Sequence, residues 1–200
     1  MPQRDVAFRE RAGVLMRAIS MREFVYRVDA GDRIVSADEN WVAFAAENGL
    51  PSLTAEAVRG KVLWDFISER TTREFYVILA QKARKSGKMI SVPFRCDGPE
   101  CRRFMRMVIL PVRDDGLEFR SVLVREEARR RAALFDPQAP RSDELIPVCA
   151  WCKKVKAWDW MEVEQAVEEL RLFEETRLPA ITHGICPECR AALELKLAEE

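Results

Sequence analysis

Apolar residues in the first part of the chain recur at two different spacings, and each spacing predicts an element. Over residues 3–19, Phe8, Ala12, Leu15 and Ile19 fall on one face of a highly charged segment, which predicts an amphipathic helix. Phe24 to Val28 and Arg33 to Ser36 read as two strands, with turn chemistry between them at Asp29-Ala30-Gly31-Asp32. A helix is predicted from Asp38 to Glu47 around Trp41, Val42, Phe44 and Ala45, stopped by Asn48-Gly49. Short helical pieces follow at Thr54 to Val58 and Val62 to Ile67. A longer helix starts at Thr71, where Glu74 completes a capping box; Phe75, Ile78, Leu79 and Ala83 are its stripe and Gly87 its stop. Three strands are predicted next, at Met89 to Arg95, Arg102 to Leu110 and Leu117 to Val124. Two strands, several helices and three antiparallel strands predict an α+β fold, a curved five-stranded sheet with helices on one face.

The pattern then changes. Three of the ten prolines fall between Asp136 and Pro147, in a stretch without periodicity that reads as linker. The expected organisation is an N-terminal helix over residues 1–21, the sheet domain over 22–126, a helical and proline-rich linker over 127–147, and a small helical zinc-knuckle module over 148–200. Charge divides the same way. The whole chain carries 33 basic and 33 acidic residues, but residues 1–147 are net +4 and residues 148–200 net −4.

Composition narrows the class. Apolar residues make up 48% of the chain, too many for a disordered tail, and no apolar run reaches the length of a membrane span. Arg4, Asp5, Arg9, Glu10 and Arg11 break up any signal-peptide core, so a cytoplasmic location is expected. Balanced charge argues against a surface that coats nucleic acid as a whole.

The cysteines carry the sharpest chemistry. Cys149 and Cys152 are separated by two residues, and so are Cys186 and Cys189, with 33 residues between the pairs. A tight turn at that spacing aims two sulfurs at one ion, and two such knuckles supply four thiolates for tetrahedral zinc. His183 is a fifth candidate, either as the fourth ligand with one cysteine free or as a donor to a bound thiolate. Between the pairs, Asp159 is a candidate N-cap for a helix carrying Val163, Ala166, Val167, Leu170 and Phe173 on one face. A last helix, Glu188 to Leu197, is expected to pack on it through Ala192, Leu193 and Leu197. Trp151, Trp158 and Trp160 are expected in the core around the site, with base stacking as the alternative.

Two further groups have bland and sharp readings. Cys96 and Cys101 flank a four-residue turn, as reduced thiols or as a reversible disulfide. Arg102, Arg103, Arg106, Arg129, Arg130 and Arg131 are either solvated or face nucleic acid or an acidic partner.

Residues 22–126 resemble a PAS sensory domain. The resemblance rests on the hairpin at Asp29 and Gly31, the Trp41 helix, Gly60-Lys61-Val62-Leu63-Trp64-Asp65-Phe66-Ile67, the long helix and the final strands. The stretch FRCDGPECRRFMRM is similar to one in bacterial PAS-like proteins. The resemblance implies a ligand-sized cavity between sheet and helices, with an unknown ligand, and pairing of two copies through residues 3–19. Histidine-held haem is poorly supported, because His183, the only histidine, lies outside this domain. Residues 147–195, with CAWCKKV and HGICPEC, resemble a small C-terminal module of bacterial response regulators and PAS or GAF signalling proteins. The region after Lys154 departs from that module, lacking a glycine-containing turn, and LRLFEETRLPA is long for it.

No phosphate loop, nucleophile elbow or His-Glu-x-x-His is present, and no catalytic residue is assigned. The expected function is non-enzymatic signal transduction, with a sensing or dimerising PAS-like domain and a zinc module that contacts a signalling partner. A nucleic-acid-binding regulator using Lys153, Lys154, Lys156 and Arg190, and a thiol redox switch, are the alternatives.

Overall fold

The structure is a computed structural model that describes residues 22–67 and 69–198. The helix expected over residues 3–19, and the pairing expected through it, lie outside the described residues. The first sheet holds β1 (Glu23–Val28), β2 (Ile34–Ala37), β3 (Ile90–Arg95), β4 (Cys101–Pro111) and β5 (Leu117–Ala128). Every pairing is antiparallel and the order is β2-β1-β5-β4-β3. Alternation places Phe24, Val28, Val92, Met107, Ile109 and Phe119 on a buried face. The opposite face carries Glu118, held between Arg27 and Arg120.

Helices cover the buried face: α1 (Glu39–Glu47), α2 (Ala55–Val58), a 3-10 turn (Leu63–Phe66) and α3 (Arg70–Ser86). Asp38 caps α1 by accepting from the Trp41 amide at 2.7 Å. Beyond α1, Gly49 has φ +83°, and a Cβ there would meet Pro137 at 2.8 Å, so only glycine lets the chain pass. The N-terminus of α3 differs from the expected capping box. Glu69 is the cap, accepting from the Thr71 and Thr72 amides at 2.8 and 2.6 Å, and Glu74 pairs with Arg70 instead. A full negative charge just before the first turn outcompetes a hydroxyl already inside it. The stripe Phe75, Leu79, Ala80 and Ala83 is buried on the sheet, while Ile78 is 44% exposed.

Residues 127–147 are not a helical linker. β5 continues to Ala128, a 3-10 turn spans Ala133–Phe135, and Arg141–Cys149 forms β6. With β7 (Val155–Lys156), β8 (Trp160–Met161) and β9 (Leu178–Gly184), β6 makes a second sheet, ordered β8-β7-β6-β9. The C-terminal module therefore has a sheet as well as the helices α4 (Val163–Glu169) and α5 (Pro187–Ala198). Prolines conceal β6 because proline cannot donate to a ladder. The strand tolerates Pro147 because β7 pairs with it only at Val148, leaving most of its length with one neighbour, β9.

Other boundaries shift as well. Glu162, not Asp159, precedes α4, and the Asp159 carboxylate accepts from the Trp160 amide. Phe173 lies past the end of α4 and is 67% exposed. The last helix does not join the core of α4. Its Leu193 is buried in the same cluster as Leu79 and Ala83 of α3, and Lys82 donates to the Leu197 carbonyl at 2.7 Å. No described helix is long and apolar enough to cross a membrane.

Candidate metal centre and its seat on the first sheet

The four knuckle cysteines come from three places: the end of β6 (Cys149), the turn after it (Cys152), and the segment from β9 into α5 (Cys186 and Cys189). Parallel pairing of β6 with β9 sets Cys149 opposite Gly184, so the two knuckles meet across adjacent strand ends. Their Sγ atoms all lie within 4.8 Å of one another, and Cys152 Sγ is 3.6 Å from Cys186 Sγ. Sulfurs around a tetrahedral ion at about 2.3 Å stand about 3.8 Å apart, so the spacing fits. Backbone amides already serve the sulfurs. Cys186 N–H donates to Cys149 Sγ and Cys189 N–H to Cys186 Sγ, each at 3.4 Å. Lys153, just after Cys152, has φ +61°, the left-handed turn that closes the first knuckle.

The charge of the cluster is lopsided without a cation. Hydrogen bonds from Cys152 and then Cys189 hold the Cys149 thiol far below its ordinary range. The same bond to Cys149 pushes Cys152 up to about 12, and Cys189 is raised chiefly by Cys149 and then Cys152. One thiolate is stabilised and further ones are resisted, because like charges share a small, half-buried volume. A divalent cation removes that repulsion, which is why thiolate clusters deprotonate on metal binding.

His183 is not part of this group. It stands on β9 opposite Val148, and its ring makes no hydrogen bond or ion pair with the described residues. The protein around its ring lowers its pKa, and Lys153 adds to that. Of the three module tryptophans, Trp151 is buried, Trp160 half-buried, and Trp158 62% exposed, so Trp158 is not core. Cys96 and Cys101 are both free thiols. Cys96 N–H bonds to the Arg103 carbonyl, so its cross-strand neighbour is Arg103 and not Cys101. Burial raises the Cys96 thiol, with Lys153 and Arg103 opposing.

The cluster is seated on the first sheet rather than held apart from it. The Arg95 amide at the end of β3 donates to the Trp151 carbonyl at 2.6 Å. The Trp151 ring lies 4.9 Å from Tyr76 and 6.4 Å from Phe75, both on α3. Cys149, Trp151 and Cys186 share one buried cluster with Leu79, Val92 and Phe119. Beside this contact runs an ion network that sequence reasoning missed. Asp97 pairs with Arg95 and Arg129; Arg95 reaches on to Glu162, and Arg102 to Glu164. Arg103 pairs with Glu126, and Arg131 with Glu100 and Asp136. Of the six arginines grouped in the sequence as basic density, Arg102, Arg103, Arg129 and Arg131 are engaged by carboxylates. No local signal distinguishes Asp97 from any other turn aspartate.

Comparison with solved structures returns PAS and sensor domains. A domain of an HTR-like protein from Haloarcula marismortui is 13% identical, covering 52% of this chain and 99% of its own, with a TM-score of 0.40. The RpfR quorum-sensing receptor PAS domain of Cronobacter turicensis, solved in complex with BDSF, is 11% identical, covering 54% and 99%, with a TM-score of 0.41. A sensory box sensor histidine kinase from Vibrio cholerae is 10% identical, covering 60% and 94%, with a TM-score of 0.40. No family model and no curated protein matches the chain.

Proposed function

We propose that this chain is a non-enzymatic sensory signal-transduction protein, in which a PAS-like domain is joined to a module held together by structural zinc. Cys149, Cys152, Cys186 and Cys189 are the ligands of this reading, and His183 is not. Four sulfurs within 4.8 Å of one another carry the assignment. Sulfur donors select zinc over magnesium or calcium, and four protein ligands leave no open position for a reacting water. A thin-cored module draws much of its folding free energy from such an ion. The strand order and the buried sheet face support the PAS-like half.

Signalling follows from how the halves join. Trp151, between the first two ligands, sits against α3, so a change in the sensor domain is felt at the knuckle. The exposed Trp158 and Phe173 side chains of the module are, in this reading, what meets a partner protein. Pairing of two copies and a cytoplasmic location complete the proposal. The experiment is elemental analysis of the purified full chain, with Cys186→Ser beside it. One equivalent of zinc per chain, lost in the variant, is expected. A wild-type protein that binds no zinc after reduction and reconstitution overturns the metal assignment.

A further inference from the structure

A cleft of about 400 Å³ opens on the C-terminal module, away from the knuckles. One wall is residues 130–134, which follow β5, and the other is α4 with the chain just past its end. Buried Leu134, Leu172 and Leu178 form its floor, and all three belong to the core beneath α4, which holds none of the four knuckle cysteines. Phe173 stands at the rim, largely exposed. The backbone sets it there. Leu172 N–H donates to the Val167 carbonyl at 2.9 Å and Arg171 N–H to the Glu168 carbonyl at 3.1 Å, with Arg171 at φ +53°. That pair of bonds ends α4 through a left-handed residue and turns Leu172 inward, so the next side chain faces water.

The two walls carry opposite free charges. Arg131 is taken by Glu100 and Asp136, and Glu164 by Arg102. Arg130 on one wall and Glu168 on the other are exposed, and their side chains make no hydrogen bond or ion pair with the described residues. An aromatic ring fixed beside an open apolar cleft marks an interaction surface. A partner surface of one sign would match one wall and oppose the other. A second copy turned by a two-fold axis matches both, with each Arg130 meeting the Glu168 of the other copy and each Phe173 entering the opposite cleft. The chain's 33 basic and 33 acidic residues put no net repulsion between copies. We infer that this cleft is a symmetric contact between two copies of the chain, anchored by Phe173 and oriented by Arg130 and Glu168. The inference rests on the reading that Phe173 meets a partner and names that partner as a second copy. Trp158 lies outside the cleft and stays open to a signalling partner.

The test is sedimentation equilibrium of the full chain over a concentration series, with zinc measured on every sample. One cleft and one aromatic anchor make a small contact, below about 1,200 Å², so a reversible monomer–dimer equilibrium is expected. Phe173→Ser is expected to weaken it about thirtyfold, the scale of an aromatic anchor. Arg130→Glu and Glu168→Arg are each expected to weaken it about tenfold, because each sets like charges together at two symmetric places. Mixed with one another, these two variants match charges at both places, so the mixture regains the dimer that neither forms alone. All three positions are exposed, and far-UV circular dichroism checks that the variants keep the fold. A wild-type chain still monomeric at about 1 mM overturns the proposal and leaves the cleft to a different protein. A dimer that Phe173→Ser leaves unchanged pairs elsewhere, as through residues 3–19, and overturns this contact while keeping the pairing. Charge variants whose mixture stays as dissociated as each alone overturn it too. Zinc content judges the metal reading separately, because the floor of the cleft contains no knuckle residue.

Discussion

The carboxylate of Asp97, with none of its side chain exposed, pairs with the Arg129 guanidinium at 3.1 Å, and that side chain is itself 3% exposed. Arg95 lies on the same carboxylate at 2.5 Å and reaches Glu162 of the C-terminal module at 2.8 Å. One buried acid thus anchors two arginines where the two sheets meet. Removing it leaves Arg95 with Glu162 alone and buried Arg129 with no carboxylate nearer than Glu164 at 3.8 Å. Asp97→Ala is expected to cost about 3–5 kcal/mol, the range for breaking a buried pair from one side. Urea unfolding reads the loss, and a cost under about 1 kcal/mol would show that water screens the network.

Trp151 makes a second prediction. Its ring fills the space beside Tyr76, and its indole N–H has no acceptor among the described residues. Trp151→Ala is expected to destabilise the chain by about 3–5 kcal/mol. Trp151→Phe keeps the apolar contact and abandons no hydrogen bond, so about 1 kcal/mol is expected. Thermal unfolding of the two variants separates apolar packing from polar anchoring; equal losses would contradict this account.

Metal removal is expected to reach the first sheet as well as the knuckle. Cys149, Trp151 and Cys186 belong to the core that also holds Leu79 and Phe119. Chelation should therefore expose Trp151, shift tryptophan emission to the red, and lower the unfolding temperature of the first domain without abolishing its fold. Emission and unfolding identical before and after verified metal loss would rule this out.

Acid should weaken the start of α3. Burial alone would raise the Glu69 pKa, but its hydrogen bonds to Thr72 and Thr71 outweigh that and lower it. A lowered folded-state pKa gives stability that is present above the unfolded value of about 4.3 and lost as pH falls through the folded value. Glu69→Gln is expected to cost about 1 kcal/mol at neutral pH, typical of a lost cap. It should also flatten the decline in stability below about pH 4. A variant with an unchanged acid limb would mean that other carboxylates set it.

Much of the first sheet was legible before the structure because its strands alternate and its turns are short. The hairpin around Asp29 appears as read: Asp29 Oδ1 accepts from the Gly31 and Arg33 amides at 2.9 Å. Both knuckles were legible for the same reason, since two residues between cysteines is a local geometric instruction. The α3 cap was misplaced by one competitor, Glu69, whose charge outweighed a well-formed Thr71 and Glu74 motif.

The polypeptide's own pattern determined which segments are amphipathic, where the sheet turns, and which four sulfurs can converge. Tertiary structure alone decided that Arg141–Cys149 pairs in parallel with Leu178–Gly184, that α5 packs on α3 and not on α4, and that Asp97 becomes a buried anchor. The reason is one of range. Alternation and cysteine spacing act over a few residues, whereas parallel pairing and buried ion networks join residues 30 or more apart. Their free energy exists only once the surrounding surface has left water.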